Sequence, residues 1–236
     1  TLEFDDQTTV TISSGVDFGP AVTTINATLE ILAGGFANGN APIYGTEGVL
    51  VYNTGGNYNR RVEWDGTDGN PGYPNDVFIR TGTTVFAATI AGFEIRPMNL
   101  DRDLTIEDGA SLFLDGGGSN LNLPLIIGRN LQLDGSLSGT STGGDIHIAG
   151  DWNQSATGSY FPNANEVLFN GLSGQQSFTA GGGVTFDNAE IDNPDGLQLN
   201  DDLRITSDFN FNNGIILPAS GENLIFEDNA TASNAS

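Results

Sequence analysis

Large apolar residues in this chain come in pairs two positions apart, and between Leu197 and Leu217 the pairs recur every six residues. The hexads read LQLNDD, LRITSD, FNFNNG and IILPAS. Leu197, Leu203, Phe209 and Ile215 hold their first positions; Leu199, Ile205, Phe211 and Leu217 hold the third. Side chains two apart on an extended strand share a face, so each hexad predicts a short strand with two inward residues. Asn, Asp, Gly and Ser fill the other positions and suit corners, where the backbone turns through left-handed conformations. One such unit cannot bury its apolar face alone. The expected fold is all-β: a parallel β-solenoid whose coils stack and share one core. Three strands of this length close a coil of about 18 residues, or roughly ten to thirteen coils for the chain. Right-handed crossovers are the favoured form, with a left-handed hexapeptide solenoid as the alternative.

The same pairing predicts strands at Val49–Tyr52, Val62–Trp64, Val77–Ile79, Val85–Phe86, Phe93 with Ile95, Leu104 with Ile106, and Leu112 with Leu114. The hexad returns at Leu125 with Ile127, Leu131 with Leu133, Leu137, Ile146 with Ile148, and Trp152. Residues 33–48 and 153–165 read as loops, and DGTDGNPGYPND (65–76) is the most turn-dense segment. No stretch keeps a helical period. We expect one solenoid domain over 1–228, more loop-elaborated in 1–99 and regular in 100–228. NATASNAS (229–236) reads as a tail or linker.

Composition narrows the setting. The 236 residues carry 30 acidic side chains against seven cationic ones, all arginine, for a net charge of −23. A surface so acidic repels nucleic acid and anionic lipid and attracts divalent cations. No basic stripe exists for a nucleic-acid footprint, and no apolar run is long enough to insert in a membrane. Cysteine is absent, so disulfides and thiolate metal sites are excluded. Thr1 opens into strand-like sequence with no secretion signal, so a secreted protein would be represented here in mature or excised form.

Candidate chemistry is sparse. Asp65, Asp68, Asn70 and Asp76 crowd one glycine-bent loop, the oxygen-rich setting that Ca²⁺ prefers; the competing reading is a series of water-exposed Asx turns. Asp5 with Asp6, Asp101 with Asp103, and Asp201 with Asp202 read as solvated corners. Stacked corners would form carboxylate ladders, which repel unless a cation or an Asn interleaves. Trp64, Tyr58 and Tyr73, near Tyr52, are candidate carbohydrate contacts if exposed; otherwise Trp64 and Trp152 pack under loops. Arg60, Arg61, Arg80, Arg96, Arg102, Arg129 and Arg204 are the only possible cationic bases for a lyase. Arg80 and Arg96, 16 residues apart, are close to one coil apart and could stack, and charge balance on an acidic rod is the simpler reading. His147, the single histidine, should point outward between Ile146 and Ile148, which leaves no triad and no histidine-based zinc site.

Three segments resemble a family. VLVYNTGGNYNRRVEWDGTDGNPGYPNDVFIRTGTTV (49–85), GDWNQSATGSYFPNANEVLFNGLSGQQSF (150–178) and FDNAEIDNPDGLQLNDDLRITSDFNFNNGII (186–216) are similar, in the same order, to coils of large secreted surface proteins of Bacteroidota-type bacteria. The resemblance implies an extracellular β-helix of structural or adhesive role; the C-terminal sorting module common in such proteins is not seen. No functional residue carries over from it. Its partners would be itself end to end, further modules of a larger surface protein, or surface glycans. The reading is thus a non-catalytic stalk or fibre subunit that requires no cofactor beyond a cation such as Ca²⁺. The alternatives are a carbohydrate-binding module and a polysaccharide lyase-like β-helix enzyme.

Overall fold

The apolar pairs become stacked rungs. The structure, a computed structural model, describes residues 2–5, 8–19, 23–116 and 118–234. Asp6 and the last two residues of the 229–236 segment lie outside the described residues. Ten parallel strands form one unbroken side, from Thr9–Ile12 through Thr28–Leu32, Val49–Asn53 and Asp76–Ile79 to Ile216–Pro218. A second side runs from Asn57–Asn59 through Thr84–Phe86 and Ser111–Phe113 to Ser159–Phe161. A third runs from Met98–Leu100 to Leu224–Phe226. Smaller parallel sheets, Leu2–Phe4 with Thr23–Ile25 and Ile43–Tyr44, and Gly15–Val16 with Phe36–Ala37, complete the first coils. Among the described residues the one antiparallel pair is the hairpin Asp115–Gly116 with Ser119–Asn120.

This is a parallel β-solenoid of about 11 turns. At the strand spacing of ~4.8 Å it is a rod about 50 Å long. The coil averages about 21 residues rather than the expected 18. Thr9 lies beside Thr28, but Val77 lies beside Leu104 and Leu104 beside Leu131, so coils between Val49 and Leu131 carry extra corner residues.

Burial follows the pairing rule. Leu29 and Ile31, Leu50 and Tyr52, Val77 and Ile79, Leu104 and Ile106, Leu131 and Leu133 are fully buried and aligned rung over rung. Corners press close enough that some admit no side chain: a Cβ on Gly128 would lie 2.1 Å from the Asp101 carbonyl oxygen of the previous coil.

Several expected elements differ. Val62–Trp64 is a 3₁₀ turn, not a strand, and Phe93 and Ile95 lie in turns, with Ile95 65% exposed. The loop at 153–165 contains a strand, Ser159–Phe161. The hexads at Leu203 and Phe209 fuse into one strand, Leu203–Asn213, whose pairing with Val184–Asp192 shifts register twice. Each shift adds a residue and the following corner gives both back, so the coil spacing returns to 19 rather than the expected 18. Ile216, not Ile215, therefore stacks on Leu197, and Ile215 turns outward. Part of the segment read as a tail is ordered: Thr231–Ser233 pairs with Asp208–Asn210.

Candidate functional site

The turn-dense loop and its aromatic neighbours occupy the third side of the coil that begins at Val49. No strand forms there between Asn59 and Asp76, so a polar bolt closes the core instead. Arg60 is fully buried and its guanidinium donates to backbone carbonyls of the coil above: Nε to Ala87 at 2.9 Å and Nη2 to Phe93 at 2.9 Å. Further bonds reach the carbonyls of Pro97, Arg96 and Trp64. Glu63 is equally buried. Its Oε1 accepts from Tyr52 and Tyr58 at 3.0 Å and from the Arg61 amide at 2.9 Å, while Oε2 has no partner among the described residues. Burial pushes the Glu63 carboxyl above its usual range despite those bonds, and lowers Arg60 to about 10, still protonated at neutral pH.

The aromatics proposed to hold sugar belong to this bolt. Trp64 is fully buried and its indole donates to the Asn99 carbonyl at 2.9 Å; Tyr58 is 7% exposed, its ring 5.1 Å from that of Tyr52. Neither presents a ring face to a ligand, which corrects the expectation of exposed aromatics. Tyr73 is half-buried, and desolvation with nearby Asp101 and Asp68 raises its hydroxyl to about 12. Trp152 and Tyr160 are also interior. The Trp152 ring lies 5.1 Å from Tyr160, 5.0 Å from Phe186 and 6.4 Å from Phe178.

The four proposed calcium ligands are not gathered. Asp65 is ion-paired with Arg96, Asp68 is exposed, and the Asn70 amide bonds back to Thr67 and the Asp68 carbonyl. Asp76 belongs instead to a ladder at the corner preceding each rung of the long side. Its Oδ1 accepts from the Asp103 amide at 3.0 Å, Asp103 accepts from Asn130, Asn130 from Asp151, and Asp151 from Ser177. Arg102 on Asp76 and Arg129 on Asp103 supply the interleaving cations. Partial burial works against the Asp103 charge, but Arg129 and the Asn130 N–H groups outweigh it and hold the carboxyl below its ordinary range. Among the described residues no three acidic or histidine side chains converge as a metal site.

Arg80 pairs with Glu107 and Arg96 with Asp65, so the two do not act together. His147 points outward in register with Ile126 and Leu168, and desolvation keeps its imidazole below its usual pKa.

Beside it runs an acidic column. Burial, then the charges of Glu190, Asp145 and Asp208, raise the Glu166 carboxyl above 4.5. The folded chain therefore holds that proton more tightly than the unfolded chain. This stabilisation is complete below pH 4.5 and lost as pH rises through the folded value. Glu166→Gln should raise stability at pH 7 by about 0.5 kcal/mol and leave it unchanged at pH 4. Thermal melts of both proteins at the two pH values measure this, and an equal effect at both would refute it.

The fold and these interior networks define the chain as a parallel β-solenoid whose polar residues chiefly hold coil to coil. It matches no protein-family model, no curated protein and no solved structure.

Proposed function

We propose that this chain is a rigid, non-catalytic stalk or fibre subunit of a secreted bacterial surface protein. The observation that carries the reading is the state of the rod's ends. Among the described residues, the strands Leu2–Phe4 and Thr9–Ile12 at one end, and Ile216–Pro218 and Leu224–Phe226 at the other, are each bonded on one side only. At the last coil Ile215 is 57% and Phe226 38% exposed, with Phe211, Ile216 and Leu224 half-buried beside them. A bare rung with an apolar face templates another. Further coils of a larger protein, or a second copy end to end, satisfy it in the same way.

Two further observations support a mechanical role. Five surface arginines are spent in ion pairs with carboxylates of neighbouring coils, which ties them to stacking rather than to chemistry. The segments that resemble bacterial surface coils contribute interior residues: Tyr52, Tyr58, Trp64, Trp152, Phe169 and Phe178.

Both ends are acidic, with Glu3 and Asp5 at one and Glu222, Glu227 and Asp228 at the other. End-to-end contact therefore repels at low salt, and a divalent cation relieves it. Electron microscopy of the purified chain at neutral pH, with calcium and with a chelator, tests this. Calcium-dependent fibres with an axial repeat of about 50 Å are the expected result. Discrete short rods in both conditions would rule out self-stacking.

A further inference from the structure

The coil beginning at Thr28 and the coil beginning at Val49 are hydrogen-bonded along the long side, where Thr28–Leu32 pairs with Val49–Asn53. They part on the next side. Among the described residues, Phe36–Ala37 pairs only with Gly15–Val16 in the coil before, and Asn57–Asn59 only with Thr84–Phe86 in the coil after. A groove of about 500 Å³ opens between them, lined by Gly34 and Phe36 on one wall and Thr54, Asn57, Asn59 and Arg61 on the other.

One wall is a free strand edge. Thr84 donates to the Gly56 carbonyl at 3.1 Å and the Arg60 amide donates to Phe86 at 3.0 Å, so residues 56, 58 and 60 face the bonded neighbour. In a parallel ladder the alternate residues face the other way. The N–H and C=O groups of Asn57 and Asn59 are thus presented to the groove at strand spacing.

The groove also holds an unusual cation. Among the described residues Arg80, Arg96, Arg102, Arg129 and Arg204 each meet a carboxylate, and Arg60 is saturated by carbonyls. Among them Arg61 alone has neither a carboxylate nor a hydrogen-bonded carbonyl on its guanidinium. Its guanidinium stacks 4.4 Å over the Phe36 ring and bridges the two walls. In a chain of net charge −23, a guanidinium left without an internal acid is available to an external one.

We propose that this groove binds an extended peptide strand carrying an Asp or Glu side chain. The peptide backbone pairs with Asn57 and Asn59 as an added strand, and its carboxylate takes the Arg61 fork. The backbone spacing favours a peptide over an acidic sugar, which would use side chains alone.

A phage-displayed library of random heptapeptides panned on the protein, with Arg61→Gln panned in parallel, provides the test. Circular dichroism establishes that the variant keeps its coils. Recovered peptides should share one acidic position. Synthesised, they should shift the ¹⁵N amide signals of Asn57 and Asn59 and bind at least tenfold more weakly to Arg61→Gln or after Asp→Asn exchange in the peptide. Arg204→Gln should bind as wild type. Failure to enrich any acidic sequence, or equal binding to Arg61→Gln, overturns the proposal. Oligogalacturonate shifting those amides where peptides do not would also overturn it, and would make the groove a uronate site.

Discussion

Arg60→Met lowers the unfolding free energy by about 4 kcal/mol, the scale at which a buried charged hub is broken. Methionine fills much of the volume but donates nothing. The carbonyls of Ala87, Phe93, Arg96, Pro97 and Trp64 then lose a shared donor, and Ala87 and Trp64 are fully buried. Glu63, whose charge favours the protonated Arg60, loses that nearby cation. Because segment 87–97 is held from below by this hub and by the Arg96–Asp65 pair beside it, amide exchange there should accelerate before the C-terminal coils are affected. The neighbouring Arg61→Met, at an exposed groove, changes stability by no more than about 0.5 kcal/mol. Denaturant unfolding of the two variants decides the point: equal midpoints would mean that the bolt contributes nothing beyond packing.

Trp152→Ala should cost about 3–5 kcal/mol, the usual toll of emptying a large aromatic from a core. The indole is fully buried and touches the rings of Tyr160, Phe178 and Phe186, which come from three other strands. Its Nε1 has no acceptor among the described residues, so Trp152→Phe keeps the ring contacts, removes an unpaired donor and costs only about 1 kcal/mol. In a solenoid each coil leans on its neighbours alone. The alanine variant should therefore melt in two steps, coils around Trp152 first, detectable as divergence between near- and far-ultraviolet circular dichroism. A single shifted transition would show that the rod unfolds as one unit.

Much of the architecture was legible before any coordinates. Leu104 with Ile106 and Leu131 with Leu133 are inward pairs because a strand's two-residue period leaves few other places for them. The expectation that stacked corners would need Asn or a cation between carboxylates holds at Asp76, Asp103 and Asn130, where Arg102 and Arg129 interleave. The site was less legible. Asp65, Asp68, Asn70 and Asp76 look like a ligand set because they are close in sequence. The fold instead sends Asp65 to an arginine 31 residues on and Asp76 to an amide 27 residues on. Arg60 and Glu63 carried no sequence signal of burial, since charged residues are rarely interior; the one hint was their place among Tyr52, Tyr58 and Trp64.

Strand, corner, inward face and acidic surface follow from periodicity and composition within a few residues, so they can be read from the chain alone. Coil length, the phase of Ile215 against Ile216, the Arg60 bolt and the opening beside Arg61 were decided only in the tertiary structure. Each depends on which residues of the next coil, some 19 to 27 positions away, come to lie overhead. A local pattern carries no record of that distance.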